Sequence, residues 1–346
     1  MPSRPPDKVT SFDIAYRAGV SQPTVSRALR GDRAVSRETR ERIQQIAREL
    51  NYTVDKNASA LRSQRANTLA LLFFDEAATA GSRINPFFLT MLAAITQASG
   101  ARGFDLLVSF QRPDDDWLSR YEDSHRADGL ILLGYGDNRT YARCLEHLAR
   151  QQSHFVRWGP IGDTVAGAVV GSDNEHAGFL VGRHLAAAGR RSVVFCGCAD
   201  SGYPEFSDRC RGLIRGFVSP PGGVPVRTID ALSSEADGEK AIDQLLSAGA
   251  SFDAVFAGSD LIAIGVLRRL KAAGLRVPED VHVVGFDDIP AAALTSPALT
   301  TVAQDTEAAA VLLVDLLVRQ IEGEKVENAV LPPRLVIRQS SPAAAG

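Results

Sequence analysis

Hydrophobic positions recur at helical spacing over the first fifty residues, and then give way to short continuous apolar runs alternating with helical stretches. In the first region Phe12, Ile14, Ala15 and Ala18 form one inward stripe, Val25, Ala28 and Leu29 a second, and Ile43, Ile46, Ala47 and Leu50 a third. Three short helices packed into one compact head are predicted. Thr10 can cap the first, with Asp13 three residues on near the positive helix end. A tight turn around Gly19 follows, and Ser21 caps the second helix, whose first turn tolerates Pro23 because no acceptor awaits its missing N–H. The third starts at Ser36 and carries Arg37, Arg40, Arg42 and Arg48 on its wetter side.

Beyond about residue 67, strands are predicted at 69–74, 104–110, 129–133, 192–196, 254–257 and 282–285, with helices between them at 86–102, 175–188, 240–248, 261–273 and 305–321. Continuous apolar runs imply strands covered on both faces, and helical crossovers imply parallel pairing, so the body reads as doubly wound α/β. Its length exceeds what one such sheet needs. Two lobes with a cleft follow, roughly 67–168 plus 303–325 and 169–302 plus 326–340, after a head at 1–55 and a linker at 56–66. Ligands of such bodies sit between lobes, at strand C-termini.

Charge divides at the same place. Of the 346 residues, 1–65 carry 13 Lys or Arg against 7 Asp or Glu, a net of +6, whereas the remainder carries 25 against 34, a net of −9. A basic head suits phosphate neutralisation, and two helices joined by a tight turn are the layout of a helix-turn-helix DNA reader. The second helix leaves Gln22, Thr24, Ser26 and Arg27 outward, at the end that enters a major groove. MPSRPPDK is too polar for a secretory signal, and no run approaches the roughly 20 apolar residues of a membrane span, so a cytoplasmic location is expected. Cys144, Cys196, Cys198 and Cys210 suit neither a disulfide framework nor a zinc site, and buried free thiols are expected. No cofactor or metal is expected.

Several segments, taken together and in order, resemble the LacI/GalR family of bacterial transcriptional regulators from Val9 to about Ser340: AGVSQPTVSRAL, VSRETRERI, NPFF (85–88), SDN (172–174), SDLIAIG from Ser259, VPEDVHVVGFDDIP from Val277, LTTVAQ from Leu299 and LPPRLVIRQS from Leu331. The resemblance implies a helix-turn-helix head, a hinge helix and a periplasmic-binding-protein-like body. Gln22, Pro23 and Arg27 match base-reading positions, with Arg27 suited to a bidentate guanine contact and Pro23 restricted to an apolar one. Thr10, Ser21, Thr24, Ser26 and Thr39 are hydroxyls suited either to phosphates or to capping their own helices. Within DKNASALRS, Ala58 and Leu61 fall at hinge positions, Leu61 being the minor-groove wedge, and Val54 stands where the family usually has proline.

For the cleft, the resemblance implies Arg209 as the effector-holding guanidinium and Asp287 as its complement, able to accept two sugar hydroxyls; Asp287 could instead cap a loop beside Asp288. Ser259 and Asp260 replace the usual Asn-Asp, the second with a structural alternative. Phe87, Phe88 and Trp158 match pocket walls, though such aromatics also build cores. Asp173-Asn174 reads as a helix cap. The implied function is a sequence-specific regulator, foremost a repressor of carbohydrate-utilisation genes that binds pseudo-palindromic operator DNA as a homodimer and is switched by a small molecule, a sugar before others. A purine-type corepressor is the alternative. An enzyme with an appended head would need motifs the chain lacks: there is no GxGxxG after a strand, no phosphate loop, no GxSxG and no metal-spaced pair among six histidines, so no catalytic residue is assigned. A solute-binding uptake protein would have a signal and no basic head.

Overall fold

A computed structural model describes residues 9–29, 31–32, 34–50, 52, 65–74, 84–111, 119–134, 138–161, 166–197, 203–217 and 224–343. The chain divides into two compact units, 1–66 and 67–346.

The first unit holds α1 (Ser11–Ala18), α2 (Gln22–Leu29) and α3 (Arg37–Glu49). Ile14, Ala15, Ala18, Val25, Ala28, Val35, Ile43 and Ala47 make its own small core. Gly19 ends α1 at φ 63°, a left-handed turn that glycine adopts without strain, and its N–H returns to the Ala15 and Tyr16 carbonyls. One expectation fails here: Phe12 is 71% exposed, because the stripe that meets α2 and α3 runs through Ile14, Ala15 and Ala18, a turn's edge away from it.

The second unit contains two six-stranded sheets. Lobe 1 is built from β1 (Thr68–Phe74), α4 (Pro86–Ala101), β2 (Asp105–Gln111), β3 (Gly129–Leu133), α5 (Asn138–Arg150), β4 (Phe155–Trp158) and β5 (Ala168–Ser172). Lobe 2 continues with α6 (Asn174–Ala187), β6 (Val193–Cys196), α7 (Pro204–Gly216), β7 (Arg227–Ile229), α8 (Glu235–Ser247), β8 (Ala254–Ala257), α9 (Asp260–Ala272), β9 (His282–Asp287) and β10 (Thr300–Ala303). The chain then gives α10 (Thr306–Ile321) and β11 (Ala329–Leu331) back to lobe 1, and β12 (Arg334–Val336) to lobe 2. The sheet orders are β11-β5-β4-β3-β1-β2 and β12-β10-β9-β8-β6-β7. Every pairing is parallel except the edge pair β10–β12.

The lobe boundaries differ from the expected ones. β5 pairs with β4 through Val156 and Ala168, and β11 pairs with β5 through Ala329 and Val170, so both belong to lobe 1. Three crossings therefore join the lobes, after β5, after β10 and after β11.

In lobe 2, α6 and α7 meet backbone to backbone. A Cβ on Gly178 would fall 2.0 Å from the Arg209 carbonyl oxygen, and one on Gly212 1.9 Å from that of Glu175. This close approach sets Arg209 beside the start of α6. Of the four cysteines expected to be buried free thiols, Cys196 and Cys210 are so, Cys144 is a thiol but only half-buried, and Cys198 lies outside the described residues; burial pushes the Cys196 thiol up to about 12.

Candidate functional site

In the head, α2 presents Pro23 and Arg27 exposed, with Gln22, Thr24 and Ser26 half-buried beside them. Arg27 is exposed one turn in from the helix start, where a guanidinium can reach past the helix surface. The Gln22 amide Nε2 donates to Ser11 Oγ at 3.2 Å, which ties the start of α2 to the start of α1. Most of the hydroxyls act locally. The Thr10 amide and hydroxyl both donate to Asp13 Oδ2 at 2.7 Å, and these bonds hold the Asp13 carboxyl below the usual range. Ser21 Oγ lies 2.9 Å from Thr24 Oγ1, and Ser36 caps α3 by accepting from the Thr39 amide at 3.2 Å. Arg40 donates to the Asp32 and Val35 carbonyls, so it braces the α2–α3 connection. Ala58 and Leu61 lie outside the described residues.

In the body, the polar groups gather at the C-terminal ends of lobe 2 strands. Arg209 is buried, donates from Nε to Asn174 Oδ1 at 2.8 Å and from Nη1 to the Gly258 carbonyl, and stacks with its Cζ 3.5 Å from the Phe286 ring centroid. Asp173 caps α6 by accepting from the His176 amide at 2.8 Å, which leaves Asn174 free to turn inward. Asp287 ends β9 at φ 114°, a conformation that L side chains rarely adopt, and its Oδ1 accepts from Gln304 Nε2 at 2.7 Å. Burial raises its carboxyl to about 7, against the opposing pull of Arg209 and the Gln304 bond.

Asp260 is fully buried and structural. Its two oxygens accept from Thr301 Oγ1 at 2.6 Å and from the Ile289 amide at 2.9 Å, tying α9 to β10 and to the segment after β9. Burial, reinforced by the charge of Asp287, raises its carboxyl well above the usual range. Ser259 caps α9 and accepts from Ser233 Oγ at 2.7 Å; Ser233 in turn accepts from Asn85 Nδ2 at 3.3 Å, a polar link from lobe 2 to the first turn of lobe 1's α4.

Lobe 1 contributes aromatics. Phe87 packs edge-on to Phe88 and tilted to Trp158, with centroids 5.3 and 5.8 Å apart. A cavity of about 700 Å³ opens between the lobes where the crossings run, lined by Phe87, Asp287 and Gln304 among others. Of the expected effector residues, Phe87 and Asp287 reach this wall. Trp158 is a core residue behind Phe87, and Arg209, Ser259 and Asp260 stand behind the described lining of lobe 2.

Residues 12–55 match the model of bacterial regulatory proteins of the lacI family, and residues 183–341 that of the periplasmic binding protein-like domain. The transcriptional regulator CelR of Thermobifida fusca is 30% identical over 339 residues, covering 94% of this chain and 96% of that protein. The chain belongs to the LacI family. Among solved structures, a CelR–cellobiose complex superposes with a TM-score of 0.67 at 29% identity, covering 96% of this chain and 99% of that one. A Lac repressor dimer bound to operator and the anti-inducer ONPF gives 0.80 at 25% identity, covering 97% and 100%. This LacI-family protein is thus a DNA-binding transcriptional regulator with an α-helical helix-turn-helix head and an α/β body of two parallel-sheet lobes, and its relatives are regulators rather than enzymes. Among its described residues no helix is long and apolar enough to cross a membrane.

Two residues of this LacI-family cleft escape a reading by residue type: Asn174, which orients Arg209, and Gln304, which meets Asp287. Both stand in segments that carry the resemblance, Asn174 closing SDN and Gln304 closing LTTVAQ.

Proposed function

We propose that this regulator is a cytoplasmic homodimer that represses carbohydrate-utilisation genes and leaves its operator when a sugar occupies the cleft. The observation that carries the reading is the cavity between the lobes, which Phe87 lines from one side and Asp287, held by Gln304, from the other. Sugars bind by this pairing of an apolar ring contact with hydroxyls donated to a carboxylate. The cavity lies against two of the lobe crossings, at 303–306 and 332–334, so a ligand there changes the free energy of one lobe arrangement relative to another, and operator affinity changes by the same factor as effector affinity. The CelR relative complexed with cellobiose supports the sugar reading. Exposed Val108 and Phe110 on the edge strand β2 offer an apolar face for a second copy.

In the head, Gln22 and Arg27 carry base readout, Pro23 an apolar contact, and the hydroxyls of Thr10, Ser21, Thr24, Ser26 and Thr39 register on phosphates, with Ala58 and Leu61 at the hinge. Arg27→Ala is expected to remove about 1–3 kcal/mol of discrimination between operator and random DNA. The deciding experiment is binding of the full chain to fragments of its own promoter region, by fluorescence anisotropy, with and without a sugar panel. Release of DNA by a sugar supports the proposal; binding that strengthens with ligand reverses the sign, and indifference to every sugar that binds the protein refutes the switch.

A further inference from the structure

The wall of the interlobe cavity is acidic. Asp287, Asp288, Asp305 and Glu307 line it, against Arg334 as the one basic side chain among its described lining residues. Asp288 is partly neutralised, since Arg338 donates to its Oδ1 at 2.7 Å. Asp287 is offset in part by Arg209 from behind the lining, whereas Asp305 and Glu307 pair with no side-chain cation among the described residues. Arg209, the guanidinium that Asp287 senses, is held in lobe 2 by Asn174, the Gly258 carbonyl and the Phe286 ring.

Two of these carboxylates, Asp305 and Glu307, also occupy a helix terminus. The N-terminus of α10 opens on the cavity through Thr306, and a helix N-terminus is where a phosphate or carboxylate would ordinarily be held. Here that position already has its anion. Asp305 caps the helix by accepting from the Ala308 amide at 2.9 Å, and Glu307 adds a second carboxylate to the first turn.

We infer that the effector is uncharged, a neutral polyhydroxylated molecule, and that the cavity refuses ligands bearing phosphate or carboxylate. This rests on reading the cleft as the effector site. An ionised carboxylate only accepts hydrogen bonds, so hydroxyls satisfy it, whereas a phosphate or carboxylate brings acceptors to acceptors and like charge to like charge in a partly desolvated space.

The test is a matched panel on the full chain at low ionic strength, by thermal melting and calorimetric titration: glucose, glucose 6-phosphate and glucuronate; ribose and ribose 5-phosphate; adenine and its monophosphate. A neutral member is expected to bind, and its charged partner to bind at least about 30-fold more weakly. A charged member that binds as tightly as its neutral parent overturns the inference. Binding by adenine alone, with its monophosphate refused, sinks the carbohydrate reading and the polyhydroxylated part of the inference, whereas the refusal of charge stands, so the two failures are distinguishable. Inorganic phosphate gives a check that needs no knowledge of the effector. It is expected to leave the melting temperature of the wild type unchanged and to raise that of an Asp305→Asn, Glu307→Gln double variant; stabilisation of the wild type by phosphate that Arg209→Gln abolishes overturns the inference.

Discussion

The two lobes share a strand order and differ in what they bring to the space between them. Lobe 1 offers rings: Phe87 at the wall, backed by Phe88 and Trp158. Lobe 2 offers charge, with Asp287 at the wall and Arg209 and Asp260 behind it, each satisfied by named partners. An apolar wall tolerates small shifts, since dispersion and ring contacts fall off gently with position. A wall of buried polar and ionisable groups does not, because each must keep its hydrogen bonds or leave an unsatisfied buried group, at a cost of about 1–3 kcal/mol and more for a charged one. The difference explains why lobe 2 has the glycine-to-backbone helix contact: Arg209 must be held to within hydrogen-bonding tolerance of Asn174.

The contrast is open to direct attack, most strongly through Arg209. Arg209→Ala strands Asn174 and the Gly258 carbonyl and leaves Asp287 without its cation; a loss of about 3–5 kcal/mol in urea-unfolding stability is expected. A loss below about 1 kcal/mol would mean that lobe 2 is no more exacting than lobe 1.

The next largest effect is in pH. Asp287 titrates near 7 in the folded protein against an ordinary 3.8, chiefly through burial, so its contribution to stability is fully present below 3.8 and is lost as pH rises through 7. The gap corresponds to at most about 4 kcal/mol. His282, in the same lobe, runs the other way: burial lowers it to about 4, so its contribution is present above 6.5 and is lost as pH falls through 4. The two slopes oppose each other between about 4 and 6.5. Asp287→Asn should therefore gain on the wild type steadily as pH rises from 4 to 7 in thermal melts, and His282→Gln should gain on it as pH falls; parallel curves for either variant would dismiss that group.

Gly178→Ala probes the helix contact itself. A methyl placed 2.0 Å from a carbonyl oxygen forces α6 and α7 apart, with an expected loss of about 1–3 kcal/mol and weaker effector binding through displaced Arg209. Smallest is the effect in lobe 1: Phe87→Leu should cost about 1 kcal/mol of stability and no more than about tenfold in effector affinity by titration calorimetry.

How far the sequence could be read follows the same division. Strands β1, β3, β6, β8 and β9 are legible because apolar runs covered on both faces leave an unbroken pattern. The three-residue strands β7, β11 and β12 are only partly buried and carry no such pattern, and membership of β11 in lobe 1 depends on a partner, β5, more than a hundred residues away. Phe12 was misread because its helix is only eight residues long, too short for periodicity to separate a buried stripe from its margin. In the site, Arg209 and Asp287 were legible through the family resemblance, and Phe87 with them. Asn174 and Gln304 were not, since a neutral amide becomes a site residue only through the charge it is folded against.

The return of α10 and β11 to the first sheet sets an order of events during synthesis. The head has its core complete by Ala47. Lobe 1 does not: its edge strand ends at Leu331, so the sheet that begins at Thr68 waits for nearly the whole chain to leave the ribosome. Over that interval the head is a finished domain on an unfinished body, and a nascent chain can meet DNA before it can sense any ligand.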